Sequence, residues 1–512
     1  MPSQHSRSQL KSRQLGQTYL IIAPLVLFAV ALLAGVFFSG SIPSGDRLMV
    51  FGNGIGIFIL CLWPFVRQPL PTLDLFQPPL LYRAIILIYY GIPTLLFAFG
   101  GYYGQKDRFD IMYVRNSGIA NHTATYLFFF TLVTLLAFDL GLKFSENTFT
   151  KKGLPLPIST TNINRALALY LGFTIPIRLF QIATGAYISF STVAYVKLSV
   201  WGTLINYLAI TTTFAAQMYC LILACSPQHR TLSRLTIAAI MFGEQYLFAL
   251  ISGSKLALLS VTTNLLLVLW VSRAISFLQI FLFTMATALI IAPLTRAIRS
   301  LDAFYLRSLS LWDALPFVVE TIPEYLSKNY LTLGEYLTSS VGFLSSRTDG
   351  FRTAARSIDI IINQLEPAKG ATIIAALYSL VPSFILPEKG EITRKVVFFA
   401  SIFFNRTLES RTGIAISQAA EWYYNFEYIG GLIACGIFAL AVGVLLGIIY
   451  ESPQKRIRTN VFFYGWAIYL PIAIQFLFVD LPLSNSLANG IRYTIIGTSF
   501  YFLLSLGQKK TQ

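Results

Sequence analysis

Runs of Leu, Ile, Phe, Val and Ala recur along this chain at the length a bilayer demands of a helix, about 20 residues. Twelve such stretches predict membrane-spanning helices, near residues 18–38, 49–66, 84–104, 123–142, 166–190, 202–224, 235–251, 256–272, 275–293, 429–450, 461–480 and 490–507. Several, such as Ile275 to Pro293, are apolar on every face, a pattern that a soluble amphipathic helix does not tolerate. The pattern is that of an all-α polytopic membrane protein with about 12 transmembrane helices.

Polar positions collect between these stretches in short connections rich in Pro, Gly, Asn and Ser, with one exception, the 135 residues from Leu294 to Tyr428. This divides the chain into a membrane domain of nine spans (1–293), a large loop or cap (294–428) and a segment of three spans (429–512). No internal repeat of the kind seen in inverted-repeat transporters is evident. A signal peptide is the competing reading of the first span, but its apolar run is long for one and no clear cleavage site follows Ser39 to Ser44.

Charge supplies the orientation. The 512 residues are 55% hydrophobic and only 12% charged, which excludes an ordinary soluble enzyme, yet the net charge is +16. In a soluble protein that excess would suggest nucleic acid. Here it follows the positive-inside rule instead: Arg7, Lys11 and Arg13 precede the first span, and the segments on that same side hold seventeen basic residues against three acids. Both termini are therefore expected in the cytoplasm, with no nucleic-acid partner. The long loop, with thirteen basic and thirteen acidic residues, is expected outside.

The sequence narrows the chemistry mainly by what it lacks. Cys61, Cys220, Cys225 and Cys435 lie in or beside spans, so the outer loop has no disulfide framework or zinc site, and His5, His122 and His229 stand on separate connections. There is no P-loop, no GxGxxG motif opening a helix and no Asp-x-Asp for a metal-bound nucleotide sugar. No cofactor or metal is expected.

Candidate anion-binding residues gather on the exterior side. Arg296 and Arg299 are one turn apart beyond the ninth span, Lys255 ends the Ser252-Gly253-Ser254-Lys255 turn, and Arg115 lies in the second exterior loop. Their charges suit an anionic headgroup at the interface, although each alone could simply reach for phospholipid. Ser346 to Leu365 predicts an amphipathic helix with Phe351, Ala354, Ala355, Ile358, Ile361, Ile362 and Leu365 on one face and Arg352, Arg356, Asp359 and Asn363 on the other. Arg352 and Arg356, with Arg347 just before them, could overhang a cavity, or they could form the polar face of a packed helix. Residues 371–386 are read as interfacial, buried in the cap or re-entrant. Within spans, Arg178 and Glu244 are costly unless paired or lining water, so an interhelical ion pair and a substrate cavity stand as alternatives. Asp139 lies near a cytoplasmic interface.

Three stretches carry a resemblance. Glu421-Trp-Tyr-Tyr-Asn425-Phe426-Glu427-Tyr-Ile-Gly430, running into Gly431 to Gly436, is similar to the signature at the return from the large loop in O-antigen polymerases, the oligosaccharide repeat-unit polymerases of bacterial surface polysaccharides. Ser252 to Lys255 resembles that family's Ser-Gly-Ser-Arg turn, and Pro382 to Lys389 resembles its Pro-rich, Lys-containing stretch. The layout agrees over nearly the whole chain. Glu427 stands where the family usually has Gly, Gly390 where Pro is common, and Lys255 where Arg is usual.

The resemblance implies a metal-independent glycosyltransferase of the bacterial inner membrane. At the periplasmic face it would join undecaprenyl-diphosphate-linked oligosaccharides as donor and acceptor, alongside a flippase and a chain-length regulator. Such a reaction needs a grip on the diphosphate leaving group and a base for the acceptor hydroxyl. Arg296, Arg299, Lys255, Arg115, Arg347, Arg352 and Arg356 are the diphosphate-binding candidates; Glu421, Asp107, Asp110 and His122 are the base candidates. Tyr305, Trp312, Tyr325, Tyr330, Tyr336, Trp422, Tyr423 and Tyr424 could stack on sugars or form an interfacial belt. An O-antigen ligase and a non-enzymatic polysaccharide or lipid-linked-sugar transporter are the alternative functions.

Overall fold

Ten of the twelve apolar stretches fall wholly or largely within the residues that the computed structural model describes, and each is helical over most of its described length. The described residues are 45–67, 77–98, 117–148, 155–157, 160–184, 200–251, 255–272, 311–329, 349–381, 416–450, 461–477 and 483–505, with isolated positions between them. The predicted span at 18–38 lies outside them, and that at 275–293 almost wholly so.

The helices are α1 (Gly45–Arg67), α2 (Pro78–Ala98), α3 (Ser117–Thr148), α4 (Thr160–Thr184), α5 (Val200–Cys225), α6 (Leu232–Ile251), α7 (Lys255–Val271), α8 (Leu311–Asn329), α9 (Gly350–Gln364), α10 (Ala371–Leu380), α11 (Gln418–Ile449), α12 (Tyr464–Leu477) and α13 (Leu483–Ser505). Five of these, α2, α3, α4, α6 and α11, are long and apolar enough to cross a membrane. A single wide turn at Leu87–Gly91 interrupts the hydrogen-bond ladder of α2. Two three-residue strands, Pro155–Pro157 and Val461–Phe463, pair antiparallel.

The centre of the fold is the seam between α3 and α11. The two helices run parallel: His122 meets Tyr423 at one end and Ser145 meets Gly447 at the other. Glycines permit the close approach. A Cβ on Gly141 would strike the Leu440 carbonyl, and one on Gly443 would strike the Phe138 carbonyl. Such small-residue seams let helix backbones touch where lipid offers no hydrophobic driving force. Near one end of the seam, Arg83 of α2 makes a bidentate pair with Asp139 of α3. Asp139 is thus paired rather than reaching for an interface.

The loop-borne helix α9 follows its predicted periodicity but starts at Gly350. Asp349 caps it, its Oδ1 accepting the Arg352 amide at 2.9 Å. Phe351, Ala354, Ala355, Ile358 and Ile361 are buried against α2, α3 and α11, whereas Ile362 is exposed. This is a packed helix, and its guanidinium groups are tied to its own carboxylates. Helix α10 packs on α13 through a face that includes buried Thr372, Ala375 and Ala376.

Helix α11 begins two to three turns before the predicted span, because its first turns are polar and aromatic and carry little hydropathy. The Ser417 hydroxyl caps it by accepting the Ala420 amide at 3.3 Å. Glu427 then breaks the helix with φ 60° and ψ −161°, a region that favours glycine.

Candidate functional site

Two polar assemblies merit description as candidate sites, one where α11 begins and one among α4, α5 and α6.

At the first, Glu421 is fully buried. Its Oε1 accepts the Ser484 amide at 3.2 Å, so the carboxylate sits at the start of α13, where the helix dipole favours negative charge. One turn on, Asn425 Nδ2 donates to Thr372 Oγ1 at 2.7 Å and to the Glu421 carbonyl at 2.8 Å. Asn425 Oδ1 is buried without a hydrogen-bond partner among the described residues. The cluster ties α10, α11 and α13 together through the motif that carried the family resemblance.

On the side of α11 facing α3, His122 Nε2 lies 3.2 Å from the Tyr423 hydroxyl. The Tyr423 and Tyr428 rings both meet the imidazole edge-on, with centroids at 5.8 and 5.3 Å, and Tyr126 closes the group behind them. His122 is half-buried, in contrast to Glu421, and Glu427 is exposed beside these rings. Two segments 300 residues apart in the chain, each with a base candidate, thus share one end of the α3–α11 seam.

The second assembly centres on an ion pair between α4 and α6. Arg178 Nε donates to Glu244 Oε1, and the guanidinium also donates to Gln181 Oε1 at 2.7 Å. It covers the Phe248 ring at 4.0 Å. Glu244 Oε2 accepts the Tyr170 hydroxyl at 2.9 Å and Gln245 Nε2 at 2.6 Å, while Thr212 and Thr213 join from α5. The network joins α4, α5 and α6, and each charge is surrounded by donors or acceptors, as low-dielectric surroundings require.

Of the loop arginines, Arg352 pairs with Asp349 at 3.2 Å and lies over Phe97, and Arg356 pairs with Asp359 at 3.3 Å. Burial pushes the Asp349 carboxyl up to about 6, against the lowering pull of the Arg352 amide and guanidinium. Asp107, Asp110, Arg115, Arg296, Arg299 and Arg347 lie outside the described residues, and Lys255 opens α7 with its side chain outside them. Among the described residues no three His, Cys, Asp or Glu side chains gather as a metal site would need, and the four thiols are buried and unbridged.

Sequence reasoning missed Glu427 as a backbone break, Asp349 as a cap and the glycine seam. The seam left a readable signal, the four-residue spacing of Gly443 and Gly447 within an apolar run.

The chain matches no family profile, no curated protein and no solved structure.

Proposed function

We propose that this protein is a polysaccharide polymerase of the bacterial inner membrane. It joins undecaprenyl-diphosphate-linked oligosaccharide repeat units at the periplasmic face by metal-independent glycosyl transfer. The growing glycan passes from one lipid carrier to a sugar hydroxyl of a second lipid-linked unit, and undecaprenyl diphosphate leaves.

The observation that carries this reading is the meeting of the Glu421–Gly430 motif with His122 at one end of the α3–α11 seam. Those residues come from two segments both expected outside, so the motif that resembles the polymerase signature is expected on the exterior side beside a titratable group. Of the base candidates with described side chains, this arrangement favours His122, half-buried beside Tyr423, over Glu421, whose carboxylate is committed to the start of α13.

The parallel run of α3 and α11 supports the twelve-span layout. A chain that leaves α3 on the inside and enters α11 from the outside crosses an odd number of times between them. With helices α4 to α7 read as four crossings, the apolar stretch 275–293 would supply the fifth, in keeping with residues 294–428 outside. The Pro155–Pro157 strand, from a connection assigned to the cytoplasm, pairs with Val461–Phe463, which opens the predicted span 461–480 next to the cytoplasmic connection 451–460.

Deletion of the protein followed by sizing of the surface glycan tests the reading. Loss of long chains with single capped repeats retained is the expected result. Loss of all attached glycan with lipid-linked polymer accumulating would instead indicate a ligase.

A further inference from the structure

Residues 371–386 are the part of the long loop whose place the sequence leaves open, as interfacial, buried in the cap or re-entrant. The structure fixes where the stretch begins. Gly370 lies against the Phe426 ring, and Thr372 Oγ1 accepts Asn425 Nδ2 at 2.7 Å. Helix α10 therefore starts beside the turn of α11 that precedes the predicted span at 429, and α11 is itself long and apolar enough to cross a membrane. From there α10 packs on α13 through a face that includes the buried Thr372, Ala375 and Ala376. The opposite face is apolar and open: Ile374, Leu377 and Tyr378, at the spacing of one helical face, are 52, 48 and 42% exposed.

The composition of the stretch and its setting say what covers that face. The 17 residues from Ala371 to Pro387 contain no charged side chain, whereas Glu366 and Lys369 stand just before them and Glu388 and Lys389 just after. A helix whose outer face met water would carry polar residues there, as α9 of the same loop does with its exposed Asn363 and Gln364. The helices beside α10 expose isoleucines in the same way, Ile429 and Ile433 on α11 and Ile495 on α13, as spans do toward lipid. At 10 residues α10 is about half the length of a crossing, so it reaches into one leaflet only. We propose that α10 is seated in the bilayer leaflet at that end of α11, with Ile374, Leu377 and Tyr378 against lipid acyl chains. The long loop is then tied to the membrane in its middle as well as at its ends. This goes beyond the polymerase reading and does not depend on it.

The experiment uses the full chain in vesicles of phosphatidylethanolamine and phosphatidylglycerol. The four native thiols are buried, so a thiol-reactive fluorophore can be directed to I374C, to L377C and, as a control in water, to E366C at an exposed position before the helix. The labelled parent chain sets the background. Two quenchers are compared, a nitroxide on the lipid acyl chain and iodide in the aqueous phase. The nitroxide is expected to quench I374C and L377C at least about threefold more than E366C, with the order reversed for iodide. Iodide quenching at either site that matches E366C would place the face in water and overturn the proposal. Protection of either site from both quenchers would also overturn it, because protein, whether the loop or a second copy, would then be the cover. Glycan length in the deletion strain bears on the polymerase reading alone, so the two can fail separately.

Discussion

The Ala368 amide donates to the Tyr424 carbonyl across 2.8 Å. In an unbroken α11 that carbonyl would take the amide of Tyr428; the break at Glu427 turns that amide away, and a loop residue 56 positions earlier replaces it. The turn that presents Ala368 has Lys369 at φ 48° and Gly370 at φ 85°, and Gly370 lies against the Phe426 ring. The break in the helix and the docking of the loop are thus two sides of one contact.

Removing that donor therefore costs more than a turn residue ordinarily would. Ala368→Pro should lower stability by about 1–3 kcal/mol through an unsatisfied carbonyl. Thermal unfolding of the detergent-purified chain measures it, and a change confined to the error of the parent curve would refute the coupling.

The α3–α11 seam makes a second prediction. Gly443→Leu drives a side chain into the Phe138 backbone, which cannot yield as a flexible side chain would. A loss of at least about 2–3 kcal/mol, or failure to accumulate in the membrane, is expected. Gly172→Leu, at an open position on α4, should be tolerated in the same assay.

The Arg178–Glu244 network predicts strong coupling. Arg178→Ala should destabilise the chain by about 3 kcal/mol, because it strands a largely buried carboxylate. The double variant Arg178→Ala with Glu244→Ala should cost less than the two single changes combined. Additivity in the double-mutant cycle would remove the pair from the account.

Asp349 gives a pH signature. Its carboxyl titrates at about 6 in the folded chain, above the value near 4 of an unfolded aspartate, so the folded state binds the proton more tightly. The stability this supplies is full below about pH 4 and is lost as the pH rises through about 6. Melting curves between those limits should show a decline with rising pH that Asp349→Asn flattens; an unchanged slope would contradict the assignment.

Helices were legible because apolar runs announce them, and Arg178 and Glu244 stood out as charges within apolar runs, although the sequence left an ion pair and a substrate cavity as alternatives. The periodicity of α9 was equally plain, but its role was not. Whether Arg352 and Arg356 overhang a cavity or pair with Asp349 and Asp359 depends on what covers the apolar face, which periodicity does not specify. The early start of α11 escaped notice because Gln418 to Phe426 is too polar for a hydropathy window. The break at Glu427 escaped because only its backbone angles reveal it, although the glycine usual at that position in the family it resembles is what those angles prefer.

The most direct test of the polymerase reading is reconstitution. The purified full-length protein, in vesicles with undecaprenyl-diphosphate-linked repeat units and a chelator, is assayed for release of undecaprenyl diphosphate and for glycan length. The account predicts chains of more than one repeat with stoichiometric release of the carrier, falling by about a hundredfold or more in His122→Ala. Carrier release without chain growth, or chain growth undiminished in His122→Ala, would contradict it.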